Sequence, residues 1–177
     1  EGGLMRSDLI NIANIMDVRA TEASAMATYL RTATLTLNNK LSATPVSGQD
    51  YLVRIKYSIG SIDNQYLKYG AVHAYNGMTA QKFYEEMAAS LNKNFAREAE
   101  PAFTFAGSDS GLVITEVEPK WVLGTYPQRP IEFEVSVDTI VTENGEEGPW
   151  CEKVVYGTSN VPRIGGNREI PAYFFCL

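Results

Sequence analysis

One helical period constrains this chain more than any other feature. Between Thr79 and Phe95 the apolar residues Phe83, Tyr84, Met87, Ala88, Leu91 and Phe95 recur at helical spacing and form a single stripe. Lys82, Glu85, Glu86 and Lys93 fall off that stripe, and Pro101 prevents the helix from running on. A helix with one apolar face buries it against one surface, and no second stretch of comparable strength offers a helical partner. The chain therefore cannot be a helical bundle, and the surface the helix covers must be a sheet.

Period-two alternation supplies that sheet. Tyr51, Val53, Ile55, Tyr57 and Ile59 share one face of a strand, with Leu52, Arg54, Lys56 and Ser58 on the other. Leu67, Tyr69, Ala71, His73 and Tyr75 share a face of the next strand, which Asn76-Gly77 closes as a turn. Thr32 to Leu37 reads as an earlier strand. Phe103 to Phe105 and Leu112 to Val117 read as a hairpin around Gly107 to Gly111. Ile131, Phe133, Val135 and Val137 alternate with Glu132, Glu134, Ser136 and Asp138, a half-buried strand with an acidic outer face. Trp150 to Tyr156 and Ala172 to Cys176 complete the set, with loops at Asn144 to Pro149 and Val161 to Arg168. Residues 1–20 read as an extended arm, and Thr21 to Leu30 as a short Ala-rich helix. The expectation is a single α+β domain over 21–177. It is mainly antiparallel β, a sheet or partly open barrel of about seven strands, with one main amphipathic helix packed on it. Its apolar last residues suggest truncation at the C-terminus.

With 177 residues and 45% apolar side chains, the chain can build one sizeable core. No apolar run is long enough to span a bilayer as a helix. The formal charge of −6 falls entirely in the second half. Residues 1–88 carry eight basic and eight acidic side chains, and residues 89–177 carry seven and thirteen. That sign opposes sequence-specific nucleic-acid binding, which needs cations against phosphates. A solvated acidic face that aids solubility explains it without any partner.

Little catalytic chemistry is on offer. His73 is the single histidine, so any Ser–His–Asp or Cys–His site would have to use it. It sits mid-strand among tyrosines, where a structural or surface role fits. Glu116 with Glu118, and Glu132 with Glu134, are carboxylate pairs of the kind glycoside hydrolysis uses, but their alternation marks solvent-facing positions. Cys151 and Cys176 lack metal or redox spacing and read as two half-buried thiols on strands, pairing only in an oxidising compartment. Arg163 and Arg168 flank a Gly165-Gly166 turn that lacks a Walker lysine. No catalytic, cofactor-binding or metal-binding residue is assigned, and no cofactor is expected.

The central segment carries a resemblance. Met78-Thr79-Ala80 opens the helix, Leu91-Asn92-Lys93-Asn94 closes it, and Phe103-Thr104-Phe105, a Gly-Ser turn and Gly111-Leu112-Val113-Ile114-Thr115-Glu116 follow. This resembles the helix-then-hairpin unit of tailed-phage tail tube and sheath proteins. From about Asp17 to Phe175 the chain resembles virion proteins of Bacteroides-infecting gut phages, including the crAss-like group. Gly48-Gln49-Asp50-Tyr51, Lys68-Tyr69-Gly70 and Ala172-Tyr173-Phe174-Phe175 are the matching stretches. The resemblance implies a non-enzymatic virion subunit of tail or capsid, with itself and other virion proteins as partners. In a tube, Glu132, Glu134 and Asp138 would form an acidic lumen face that lets DNA slide. The alternative is an extracellular binding module of a gut bacterium, with Trp121, Tyr126 and Trp150 as interface or ligand aromatics.

Overall fold

The computed structural model describes residues 29–59, 63–98, 101–117 and 130–163. The contacts divide the chain into Arg31–Ser159 and a second unit, Glu1–Leu30 with Asn160–Leu177. Of the second, only 29–30 and 160–163 are described: Tyr29 and Leu30 begin one strand, and another ends at Pro162. The expected arm, most of the expected short helix and the expected strand from Ala172 lie outside the described residues.

The elements in order are β1 (Tyr29–Leu35), β2 (Asp50–Ile59), β3 (Gln65–His73), α1 (Ala80–Phe95), β4 (Phe103–Ser108), β5 (Gly111–Glu116), β6 (Pro130–Val137), β7 (Thr139–Val141), β8 (Glu147–Pro149) and β9 (Val155–Pro162). They form a four-stranded sheet in the order β4-β5-β1-β9, a three-stranded sheet β3-β2-β6 and a small β7-β8 ribbon. The resolved strand registers are antiparallel. The class is α+β and mainly β, as the sequence implies.

The helix forms where its stripe requires. Thr79 caps it, its side chain accepting the Lys82 N–H at 3.1 Å. The buried residues of α1 are the six of the stripe. Phe83 meets Tyr51 and Trp150 edge-on at 4.8 and 5.3 Å, and Phe95 meets Phe103 and Phe105 at 5.9 and 5.0 Å. Burying each such side chain is worth about 1.5–3 kcal/mol against leaving it in water.

The same helix also shields an edge of each larger sheet. Towards β3, Ser90 Oγ accepts the Ala71 N–H at 3.0 Å and Asn94 Nδ2 donates to the Tyr69 carbonyl. Towards β4, Asn92 Nδ2 donates to the Phe105 carbonyl at 3.0 Å. Both strands are terminal in their sheets, where open backbone groups invite pairing with another chain. Two glycines allow the approach. A Cβ on Gly70 would lie 2.5 Å from Leu91 Cγ, and one on Gly107 would lie 2.2 Å from the Tyr84 carbonyl carbon.

Several expectations need correction. Tyr29 and Leu30 begin β1 rather than end a helix. The Gly107 to Gly111 turn is narrower than expected, because Gly107 pairs with Leu112 and only Asp109 and Ser110 remain unpaired. The expected strand from Trp150 to Tyr156 is broken. Trp150 to Glu152 make a bend, the Cys151 thiol donates to the Lys153 carbonyl at 3.3 Å, and the strand starts at Val155. Part of the expected loop before it, Glu147–Pro149, is β8, and the later loop loses Val161 and Pro162 to β9.

Candidate interaction surface

The outer face of β3-β2-β6 is built by register. On β2, the residues between the buried Tyr51, Val53, Ile55 and Tyr57 point away from the core, so Leu52, Arg54 and Lys56 look outward. Ala71, Tyr69 and Leu67 of β3 stand directly across from them. On the other side, Ser136 pairs with Arg54, Glu134 with Lys56 and Glu132 with Ser58. Three columns result: apolar on β3, basic on β2 and acidic on β6.

The apolar column reverses the usual sense of an alternating strand. Leu67 is 49% and Tyr69 43% exposed, while Gly70 and Val72 are buried. The residues that share a face in the sequence do share one, and it is the outward face.

The acidic residues are therefore not one continuous wall. Glu132 and Glu134 are exposed beside the basic column, with Lys56 directly opposite Glu134. Asp138 is half-buried, and its Oδ1 accepts the Leu52 N–H at 2.9 Å. A groove of about 390 Å³ adjoins this face, lined by Lys56, Tyr57, Ser58, Gln65, Glu132 and Glu134 among others.

Elsewhere the chemically suggestive residues are committed to structure. Glu116 is 1% exposed, which overturns the solvent-facing reading. Its carboxylate lies 3.1 Å from the Arg31 guanidinium and also accepts the Arg31 backbone N–H, while that guanidinium donates to the Pro130 carbonyl and sits over the Phe133 ring. Glu118 lies outside the described residues. Trp150 is fully buried, with Nε1 donating to the Leu52 carbonyl at 2.8 Å, so it packs the core and presents no platform. Trp121 and Tyr126 lie outside the described residues. His73 is exposed, and Nδ1 is 2.7 Å from Asp50 Oδ1. Cys151 is a buried free thiol in a bend rather than a half-buried one on a strand, and burial pushes its pKa up. Cys176 lies outside the described residues.

Three tyrosines have raised pKa values, each through burial first. Tyr57 also donates to Glu98 Oε1 at 2.8 Å, and that carboxylate further disfavours the phenolate. Tyr51 and Tyr84 hold the Val46 and Leu37 backbone N–H groups at 2.8 and 2.7 Å, bonds that partly offset burial. Among the described residues no three His, Cys, Asp or Glu side chains cluster as metal ligands. Among them no helix is long and apolar enough to cross a membrane.

What is distinctive outside the core is thus a surface. Residues 1–110 match the model of the Bacteriophage crAss001 auxiliary capsid protein family. The chain belongs to this family. An auxiliary capsid protein of Bacteroides phage crAss001 is 36% identical to it over 205 residues, covering 99% of this chain. The chain spans 61% of that protein's length. Membership in the auxiliary capsid protein family indicates a virion protein of a crAss-like phage, which bears out the virion part of the resemblance and not tail tube specifically.

The sequence did not reveal the Arg31–Glu116 pair, whose members are 85 residues apart. Nor did it reveal the three-column face, because the two charged columns come from strands joined only through the register. The signal that was present, Arg54 and Lys56 alternating with buried residues, marks an outward face without saying what stands beside it.

Proposed function

We propose that this chain is a non-enzymatic structural subunit of a phage virion, an accessory component of the capsid that works through protein–protein surfaces. The observation that carries this reading is the 36% identity to an auxiliary capsid protein across 99% of the chain. The interior is consistent with it. Glu116, Trp150 and Cys151 are taken up by packing and pairing, and the exposed face offers contact chemistry rather than a reaction centre. The relative's name favours the capsid over the tail. The alternative of an extracellular binding module is weakened, since Trp150 has no exposed surface.

Fractionated virions test this directly. Phage particles are disrupted, heads are separated from tails on a gradient, and the chain is located by peptide mass spectrometry and immunogold labelling. It is expected in the head fraction and on the capsid. Recovery only with tails would restore the tail-tube version, and absence from washed particles would overturn the virion subunit.

A further inference from the structure

The outer face of β3-β2-β6 has an order that is its own complement. At one level across the strands the register sets Leu67 beside Lys56 and Lys56 beside Glu134. Past Glu134, β6 is the last strand of its sheet, and at that edge the Val135 N–H donates at 2.9 Å to the Tyr156 hydroxyl, whose ring lies against the inward-facing Phe133 at 5.8 Å. The order across the outer face at this level is apolar, positive, negative.

We propose that a second copy of this chain docks on this face about a two-fold axis running parallel to the strands, between β2 and β6. Such an axis preserves the level along the strands and exchanges the two sides of the face. Lys56 of each copy then lies over Glu134 of the other, twice by symmetry. Leu67 of each copy lies over the free β6 edge of the other. An axis along β2 itself would instead stack Lys56 on Lys56.

The charges are available for this role. Among the described residues the ion pairs are Arg31–Glu116, Lys40–Glu152, Lys68–Glu98 and His73–Asp50, and none uses Arg54, Lys56, Glu132 or Glu134. A nucleic acid or an anionic membrane would meet the acidic column and be repelled. A wholly apolar partner would strip water from four charges without pairing them. The face is small, since three strands ~4.8 Å apart make it only about 15 Å wide. Its strands of 8 to 10 residues run about 30 Å at ~3.4 Å per residue, so the face covers roughly 450 Å², below the ~800 Å² a side of a standard stable complex. The dimer therefore forms at high concentration, or where copies are held close together.

Charge exchange provides the test, on the chain alone. Sedimentation velocity and light scattering are run on the wild type from about 5 µM to about 500 µM, a range that spans weak interfaces of this size. The wild type is expected to shift from monomer to dimer. Lys56→Glu places like charges over one another at both sites, as does Glu134→Lys, and each variant is expected to dimerise more than about tenfold more weakly. An equimolar mixture of the two variants restores both opposite-charge pairs, and so does the double variant K56E/E134K. Recovery in the mixture is the decisive result. A neighbouring pair within one chain would be disrupted in both variants and gain nothing from mixing. A wild type that stays monomeric throughout overturns the proposal, as do single variants that dimerise like the wild type, or a mixture that fails to recover. Circular dichroism confirms that the exposed substitutions leave the fold intact. The proposal goes beyond the virion reading and fails separately from it, because particle location is read on phage and this association on the purified chain.

Discussion

Strands β2 and β3 lie side by side, are paired along the whole length of β3 and alternate in nearly the same way, yet they point their apolar residues in opposite directions. On β2, Tyr51, Val53, Ile55 and Tyr57 are all buried. On β3 the more apolar set, Leu67, Tyr69 and Ala71, is exposed, while Gly70 and Val72 face inward. Residues directly opposite in a sheet share a face, so Val53 commits Gly70 to the inside and Ile55 commits Lys68. The helix reinforces that choice, because only a glycine at 70 leaves room for Leu91 and Met87. Alternation tells which residues travel together, and the neighbouring strand tells them which way to face.

That contrast can be broken most severely on β2. Ile55→Ala removes a fully buried side chain and is expected to destabilise by about 2–5 kcal/mol in urea unfolding. A loss under about 1 kcal/mol would mean that β2 does not organise the sheet.

The glycines come next. Gly107→Ala meets backbone of α1 and Gly70→Ala meets side chains, so both are expected to cost about 1–3 kcal/mol, with Gly107 the larger. The reverse order would show that the helix shifts more readily along β4 than Leu91 repacks over β3.

Alkaline pH probes the inward face of β2 more gently. The Tyr57 pKa is raised in the folded state above its ordinary value of 10.0, by burial and then by Glu98. The native state therefore holds its proton longer than the unfolded chain does. Its contribution to stability is complete below about pH 10 and is lost as pH rises towards the folded value. Urea unfolding between about pH 8 and pH 11 is expected to show falling stability, with a shallower fall in Tyr57→Phe. An identical slope in both proteins would remove Tyr57 as a cause.

The smallest effect belongs to β3. Leu67→Ala is expected to change stability by no more than about 0.5 kcal/mol, since the side chain is half in water. The same substitution is expected to weaken self-association of the chain in sedimentation. A large stability loss with unchanged association would make the outward face a structural one.

What the sequence reveals divides along the same line. The α1 stripe and the β2 alternation were fully legible, because each depends on residues within a few positions of one another. The sense of β3 was not, since it depends on a neighbour's burial. Glu116 looked solvent-facing because its partner, Arg31, belongs to a strand distant in the chain. Trp150 looked available as a ligand aromatic because nothing local shows that its indole reaches the Leu52 carbonyl. The broken strand after it was hidden for a similar reason. Trp150 is held at both backbone ends, donating to Asp138 and accepting from Asn38, and the chain turns there despite a strand-like composition. Of the candidate surface, each column was visible along its own strand, and their juxtaposition was not, because it depends on the register between strands.

The placement of α1 also bears on the order in which the chain leaves the ribosome. It is encoded between β3 and β4, the two strands whose edges it shields, with short connections on either side. The cover for β3 is synthesised immediately after the strand itself, and β4 emerges to find its cover already made. Strand β2 has no such protection on its other side, because β6 is translated much later. At ~5–20 residues per second that interval lasts several seconds, and during it the edge awaiting β6 is where a neighbouring nascent chain would pair by mistake.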